Sequence, residues 1–222
     1  MIQVGSVFQH EGEKVSVRRF LGKGKGGYSY LVQYGDRQCV LKNLHYEKCE
    51  VYTFGADKLE AELRDYETLS ALGIPMPRLL AFHKNGQYLL KEYIDGPSLA
   101  ELMVQQELPL TYFRQMKDIC DVLYDHNLNI DYMPQNFIVR EGKLYYIDYE
   151  CNVLSEEWDF EHWGIYFWVN REGMKKFMEA GDYRYISVDG KPVRNIVTEE
   201  RAAAVLNKVW QGGKRTEDNR ST

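Results

Sequence analysis

The sequence lacks any run of apolar residues long enough to cross a membrane, and it contains no Cys-x-x-Cys pair. A bilayer span needs about 20 mostly apolar residues, so we expect no membrane contact. The four cysteines are widely spaced, at Cys39, Cys49, Cys120 and Cys151, which disfavours both a zinc site and a disulfide scaffold. The start of the chain has no basic segment followed by an apolar core. These absences predict a cytoplasmic protein with reduced thiols.

A surplus of basic residues is also missing, because 28 Lys and Arg face 33 Asp and Glu, for a net charge of −5. Proteins that bind nucleic-acid backbones depend on positive charge, so general nucleic-acid binding is not expected. The chain has no visible internal repeat. Its 222 residues are 44% hydrophobic, which is enough for an ordinary folded core. Tyrosine is unusually frequent, with 17 residues against 9 Phe and 4 Trp.

The chain before position 95 is mainly β-patterned. Aromatic and β-branched residues predict strands over 15–17 continuing to 20–21, and over 28–34, 38–42, 78–82 and 88–94. From Asp57 to Leu72 apolar residues recur every three or four positions, which predicts one helix that ends at Gly73. This part therefore reads as a small lobe, 1–94, with an antiparallel sheet and one helix.

The chain after position 95 is mainly helical. Helices are predicted over 98–106 with Ser98 as cap, over 111–127 with Thr111 as cap, and over 158–170, 172–180 and 198–209. Two short strands, 137–139 and 144–147, flank a turn. The expected class is α+β with two lobes, the second a reduced, mostly helical lobe over 95–211. Residues 212–222 contain no large apolar residue and are expected to form a mobile tail.

A glycine cluster has the spacing G-x-G-x-x-G at Gly22, Gly24 and Gly27. In a dinucleotide-binding fold such a loop opens into a helix, but here a β-patterned segment follows, so we expect the loop to join two strands. Without side chains, backbone N–H groups can approach phosphates closely. A plain glycine-rich turn would have the same spacing.

Lys42 closes an apolar strand, a position that suits an ammonium group aimed at nucleotide phosphates. A strand-end surface lysine is the alternative. The following helix carries Glu60, Glu62 and Glu67, and one glutamate there can hold the ammonium in place. We favour Glu62, which lies 20 residues after Lys42, although spacing alone leaves the other two open.

Three polar residues after the long predicted helix suggest metal and proton chemistry. Asp131 and Asn136 have the spacing D-x-x-x-x-N, and Asp148 follows an apolar strand. Carboxylate and amide oxygens are ligands for Mg²⁺, and a carboxylate can also orient a hydroxyl group and take its proton. We assign the second role to Asp131 and metal binding to Asn136 and Asp148.

The glycine loop, strand lysine, helix glutamate, D-x-x-x-x-N and strand-end aspartate occur in the order found in kinases. From about residue 21 to residue 159 the sequence therefore resembles the protein-kinase-like superfamily. Residues 67–80 are similar to small atypical kinases of the Bud32, Rio and aminoglycoside-phosphotransferase groups. The run Asp148-Tyr149-Glu150 resembles choline and aminoglycoside kinases.

The resemblance implies a two-lobed protein-kinase-like fold that binds ATP with Mg²⁺ or Mn²⁺. It also implies that residues 88–96 form the hinge, where backbone groups near Glu92 and Ile94 would bond the adenine. The implied activity is transfer of the ATP γ-phosphate to a hydroxyl group on an acceptor that the sequence leaves open, either a protein Ser/Thr or a small molecule.

The short stretch 96–131 favours a minimal atypical Ser/Thr protein kinase, because small-molecule kinases usually insert substrate-binding helices there. The Asp148 neighbourhood favours a small-molecule kinase instead. A third alternative is a catalytically weak pseudokinase or nucleotide-binding scaffold. It is suggested by Asn129 and Ile130 at the positions of the family's loop His and Arg, and by Lys91 at the gatekeeper position.

Overall fold

The computed structural model describes residues 2–24, 26–47 and 57–210. The backbone is α+β, as predicted, and divides into two compact units, Met1–Asp95 and Gly96–Thr222. The tail predicted over 212–222 lies outside the described residues, as does Cys49. Within the described part of the chain, none of the helices has both the length and the apolar character that a membrane crossing requires.

The first unit is built on a six-stranded antiparallel sheet with the order β1-β2-β3-β4-β6-β5. Its strands are β1 (Val7–His10), β2 (Glu13–Lys23), β3 (Gly27–Tyr34), β4 (Arg37–Leu44), β5 (Leu79–His83) and β6 (Tyr88–Glu92). One helix, α1 (Lys58–Ala71), lies between β4 and β5 in the chain. The predicted strands and helix are confirmed, and β1 was missed. That strand is short, and its first residue, Val7, is 58% exposed.

Alternate side chains of each strand lie on the same face of the sheet, and packing of the apolar ones on one face stabilises the first unit. Buried members of this core come from four strands and include Val15, Val17, Tyr30, Leu41 and Leu90. Each large apolar side chain buried in this way contributes roughly 1.5–3 kcal/mol. The helix begins where the Asp57 side chain accepts a hydrogen bond from the Glu60 amide at 3.0 Å.

Over residues 96–210, which the structure describes, the second unit combines five helices with three two-stranded antiparallel ladders, β7–β10, β8–β9 and β11–β12. The elements are α2 (Leu99–Gln105), α3 (Leu110–Asp125), β7 (Leu128–Ile130), β8 (Phe137–Arg140), β9 (Lys143–Tyr146), β10 (Cys151–Val153), α4 (Ile165–Val169), α5 (Arg171–Ala180), β11 (Ser187–Val188), β12 (Lys191–Pro192) and α6 (Ile196–Val209).

Two helix predictions in this unit need correction. Helix α3 begins at Leu110 after an extended Pro109, so Thr111 lies inside the first turn and is not the cap. The helix expected over 158–170 is a 3₁₀ turn, a π-helical segment (Phe160–Gly164) and then α4. The carbonyl of Asp159 accepts hydrogen bonds from the amides of both Trp163 and Gly164, which widens this turn.

The core of the second unit centres on Trp168, which is 2% exposed. Its ring packs against Phe113, Phe137 and Phe160, with centroids 5.6, 5.4 and 5.2 Å away. Its indole nitrogen donates to the carbonyl of Tyr132 at 2.8 Å. The core thus fixes the loop that follows β7. Trp168 and Phe167 are core residues, whereas Trp158 is 39% exposed.

Candidate functional site

The glycine loop joins β2 and β3, as predicted, and its last paired residues are Lys23 and Tyr28. The amide of Gly24 donates to the carbonyl of Gly27 at 2.9 Å and closes the turn. The three motif glycines serve different purposes. A Cβ atom on Gly27 would lie 2.8 Å from the Asn43 carbonyl oxygen, so packing against β4 requires glycine there. Gly22 has open space around the same position, so a side chain there would meet no neighbouring atom.

Lys42 and Glu62 meet in the first unit. Lys42 Nζ lies 2.6 Å from Glu62 Oε1, and the two side chains are only 12% and 13% exposed. The other two candidate glutamates lie elsewhere on α1. Glu60 pairs with Lys84 at 3.3 Å on the surface, and Glu67 is exposed. The structure therefore places Glu62, and not Glu60 or Glu67, next to the strand lysine.

The glycine loop passes directly over this ion pair. A Cβ atom on Gly26 would lie 3.7 Å from Glu62 Oε1 and 3.9 Å from Lys42 Nζ. Gly26 occupies a variable position of the G-x-G-x-x-G spacing, so the motif did not single it out. The one feature of the sequence that could have pointed to Gly26 is the density of glycine, four within six residues. The arrangement puts a bare segment of backbone beside a partly buried ammonium group, which suits a bound phosphate.

His45, which no sequence motif singled out, directly follows β4 and contacts the glycine loop. Its Nε2 lies 3.2 Å from the Gly24 carbonyl, and its amide donates to the Gly26 carbonyl at 3.2 Å. Because Nδ1 accepts from the Glu47 amide at 3.3 Å, the neutral tautomer with Nε2–H is the one that fits. The Glu47 carboxylate in turn binds Lys23 Nζ at 2.6 Å. The contacts of His45 and Glu47 with the glycine loop depend on folding, because they join residues about twenty positions apart.

The segment 88–96, expected to form the hinge, comprises β6 and the four residues after it. The amide of Glu92 donates to the Arg78 carbonyl at 2.9 Å. Ile94 is 5% exposed and lies just beyond the strand. Lys91 is also 5% exposed and pairs with Val40 in the β4–β6 register. Its side chain is therefore on the same face of the sheet as Lys42.

In the second unit the remaining candidates, Asp131, Asn136 and Asp148, lie next to the ends of two short ladders, β7–β10 and β8–β9. Ile130 pairs with Cys151 at the end of the β7–β10 ladder, and Asp131 follows directly. Phe137 pairs with Tyr146 in the β8–β9 hairpin, and the Ile147 amide donates to the Asn136 carbonyl at 2.9 Å. This hairpin end therefore holds Asn136 close to the residue that precedes Asp148.

Tyr146 lies within electrostatic range of both Asp131 and Asp148. This tyrosine is fully buried, and its hydroxyl donates to the Glu150 carbonyl at 3.0 Å. Burial raises its pKa well above the usual value, and the nearby carboxylates of Asp148, Asp131 and Glu150 raise it further. Tyr146 therefore stays protonated. The structure brings Asp131, Asn136 and Asp148 together around the hairpin end.

The loop after Asp131 is held on several sides. Asp131 Oδ1 accepts from the Met133 amide at 3.1 Å, and Asn136 Nδ2 donates to the Asp131 carbonyl at 3.4 Å. The Tyr183 hydroxyl contacts Met133 Sδ at 3.5 Å. Desolvation and, secondarily, the Asp131 carboxylate raise the pKa of Tyr183 to about 12. Tyr183 is thus a neutral hydroxyl near Asp131 that sequence reasoning missed.

Asn129, which the kinase resemblance aligns with a loop histidine, is 5% exposed. Its Nδ2 donates to the Trp158 carbonyl at 2.6 Å. Asp159, the residue after Trp158, accepts a hydrogen bond through Oδ1 from the His162 amide at 2.7 Å. In this chain Asn129 therefore ties the loop to the segment before α4 with a structural hydrogen bond.

The oxygen donors near the hairpin end fit a hard cation. Asn136 and Asp148 supply an amide and a carboxylate oxygen, and the neighbouring Gln135 Oε1 is buried with no hydrogen-bond partner among the described residues. Among all the residues that the structure describes, no group of three or more His, Cys, Asp or Glu is placed to hold a metal ion. A cation here would need further ligands. Nucleotide phosphates and water usually complete the shell of Mg²⁺.

Comparison with known proteins gives no further identification: no family model matches the chain, and no curated protein does.

Proposed function

We propose that this protein is an ATP- and Mg²⁺-dependent phosphotransferase, a kinase that moves the γ-phosphate of ATP to a hydroxyl group. The observation that carries the proposal is the Lys42–Glu62 ion pair beneath the glycine loop. A largely buried ion pair costs desolvation energy and is weak evidence for a stabilising role. Next to backbone free of side chains, it is well suited to place an ammonium group on phosphate oxygens.

Each proposed residue has one role in the reaction. Lys42 neutralises phosphate charge, and Glu62 holds Lys42 in position. Asn136 and Asp148 would hold Mg²⁺, which supplies further neutralisation of phosphate charge when bound. Asp131 accepts the proton of the attacking hydroxyl group and orients it. Backbone hydrogen bonds fix the Asp131 loop before any substrate arrives, which favours catalysis by positioning.

The second unit supports one acceptor class over the other. Between residues 96 and 131 the chain forms α2, α3 and β7, without additional substrate-binding helices. We therefore favour a minimal atypical Ser/Thr protein kinase. A small-molecule kinase is the alternative, supported by the Asp148-Tyr149-Glu150 run. The structural use of Asn129 supports the second alternative, a catalytically weak nucleotide-binding protein.

The proposal is tested by following transfer of labelled γ-phosphate from ATP with Mg²⁺ or Mn²⁺ to peptides, sugars, aminoglycosides and choline. Asp131→Asn and Asp148→Asn are each expected to lower turnover by about 100-fold or more. The first substitution removes the group that accepts the proton, and the second removes a metal ligand. Asp118→Asn, an exposed position on α3, is the matched control and should leave turnover unchanged.

The outcomes separate the alternatives. Turnover that survives both substitutions would rule out the proposed site. Saturable ATP binding without turnover would favour the nucleotide-binding scaffold. Absence of ATP binding would contradict both.

Replacing His45 with Ala is expected to weaken ATP binding about threefold to tenfold, because a hydrogen bond worth about 0.5–1.5 kcal/mol no longer holds the glycine loop. Calorimetric titration of ATP measures this effect. His126→Ala is the control, since that exposed histidine contacts the Val122 carbonyl on α3. Equal ATP affinity of His45→Ala and the wild type would mean that His45 does not position the loop.

A further inference from the structure

The second unit contains an open cavity of about 660 Å³ that none of the proposed catalytic residues lines. Its walls come from the 3₁₀ turn Glu156–Trp158, from the π-helical segment and from the chain around β12. The volume lies within the range of small-molecule sites, about 300–1,000 Å³. All of its lining residues belong to one compact unit.

Two tryptophans form the aromatic part of this cavity. The rings of Trp158 and Trp163 are 5.7 Å apart and inclined by 61°. Trp163 is fixed by a hydrogen bond from its indole nitrogen to the Gly190 carbonyl at 2.9 Å and by edge contact with Phe167 at 4.6 Å. The ring of Trp158 lies against Gly190, where a Cβ atom would be 3.6 Å away. The pair is therefore an ordered surface.

The exposure of Trp158 is unusual for its residue type. Tryptophan has a large apolar surface, and 39% of this residue remains exposed next to the cavity. Large aromatic groups exposed in a concave region often mark binding sites. A role in core packing alone leaves that exposure unexplained.

The lysine and the arginine of the cavity, Lys191 and Arg194, each have a carboxylate nearby. Lys191 lies 3.8 Å from the Glu157 carboxylate. The Arg194 guanidinium stacks 3.7 Å above the Tyr166 ring and lies 3.9 Å from Glu199. Neither cation is therefore well placed to repel a positively charged ligand.

Glu156 supplies the remaining negative charge. Its side chain is 87% exposed, and its ionic contact is with His162 Nε2 at 4.0 Å. The other nitrogen of that imidazole, Nδ1, already lies 2.9 Å from the Asp159 carboxylate. The Glu156 carboxylate thus stands beside the tryptophan pair with one distant partner.

We propose that this cavity binds an organic cation with apolar surface, an alkylammonium or alkylguanidinium group, against Trp158 and Trp163 with Glu156 as counter-charge. Cations are attracted to the faces of aromatic rings, most strongly to tryptophan, and a nearby carboxylate adds to this attraction. The inference is independent of the proposed phosphoryl transfer, because neither ATP nor the residues assigned to transfer take part.

The test is an NMR titration of the full chain, followed on the indole N–H of Trp163. The probes are tetramethylammonium chloride and methylguanidinium chloride, with tert-butanol as a neutral analogue of similar shape and sodium chloride as the ionic-strength control. Either cation is expected to give a saturable shift, and the two arms distinguish ammonium from guanidinium. Tert-butanol and sodium chloride are expected to give no saturable shift.

Three variants locate the binding. Glu156→Gln should weaken cation binding at least about threefold, and Trp158→Leu at least about fivefold, while Trp158→Phe keeps an aromatic face and should change it about twofold or less. Glu179→Gln, an exposed position on α5, is the charge control and should have no effect. Because Glu156 is so exposed, its variant is expected to fold even if Trp158→Leu does not.

Four results would overturn the proposal: no saturable binding of either cation, tert-butanol binding as tightly as tetramethylammonium, unchanged affinity in Glu156→Gln, or equal weakening in Glu179→Gln.

Discussion

Replacing Lys42 with Met is expected to lower ATP turnover by about 100-fold or more, as found when a single charge-stabilising donor is removed from a transition state. The reason is positional. Lys42 Nζ is held 2.6 Å from Glu62 and next to the backbone of Gly26, so no flexible surface lysine can take its place. Steady-state turnover of labelled ATP at saturating Mg²⁺ measures the loss.

Stability must be separated from activity in this experiment, because the Lys42–Glu62 pair is largely buried. Removing one partner of a buried pair leaves an uncompensated charge and costs about 3–5 kcal/mol, somewhat less where water reaches the site. Glu62→Gln and Lys42→Met should therefore each destabilise the chain. The double variant removes both charges and should regain stability without regaining turnover.

The surface pair of Lys84 and Glu60 provides the matched control. Both side chains are more than half exposed, and pairs of this kind contribute about 0–1 kcal/mol. Lys84→Met should therefore change neither turnover nor the free energy of unfolding. Turnover by Lys42→Met within tenfold of the wild type would exclude the assigned role of Lys42.

Replacing Gly96 with Ala is expected to destabilise the second unit by about 3 kcal/mol or more, at the upper end of overpacking effects. The added Cβ atom would lie 2.1 Å from the Val139 carbonyl oxygen. That strand cannot move aside easily, because the Val139 amide donates to the Pro97 carbonyl at 2.9 Å and Ser98 bridges to Ile138. The clash is therefore with anchored backbone.

Urea unfolding followed by tryptophan fluorescence measures this effect in the right unit. All four tryptophans, Trp158, Trp163, Trp168 and Trp210, lie after Gly96. The control is Gly142→Ala, where the Cβ position is open but φ is +75°. Left-handed backbone alone should cost about 1–2 kcal/mol. Equal unfolding midpoints for the two variants would contradict the predicted clash.

Periodicity and residue composition were sufficient to predict the larger elements. The apolar spacing of α1 reflects burial on one face, and aromatic and β-branched residues mark β2, β3, β4 and β6, so the sequence carries these elements directly. The ladders β7–β10 and β11–β12 contain strands of only two or three residues. Such strands are too short to have a period, and tertiary contacts define them.

The choice of Glu62 illustrates what helical phase adds. Residues of a helix are separated by about 100° each, so Glu60 and Glu62 point in nearly opposite directions. Glu62 shares the stripe of the buried Leu59, Asp65 and Leu69. The position of Glu62 relative to the apolar residues of the helix could therefore have selected it from the sequence. The roles of Gly26 and His45 had no comparable signal, because backbone hydrogen bonds across the loop create them.

The thiols have a practical consequence for spectroscopy. Burial raises the pKa of Cys39 and Cys120, so neither should react readily with alkylating reagents, whereas Cys151 is partly exposed. Cys151 pairs with Ile130, the residue before Asp131. With Cys49 replaced by Ser, a spin label or fluorophore on Cys151 would report on the Asp131 loop without any engineered attachment site.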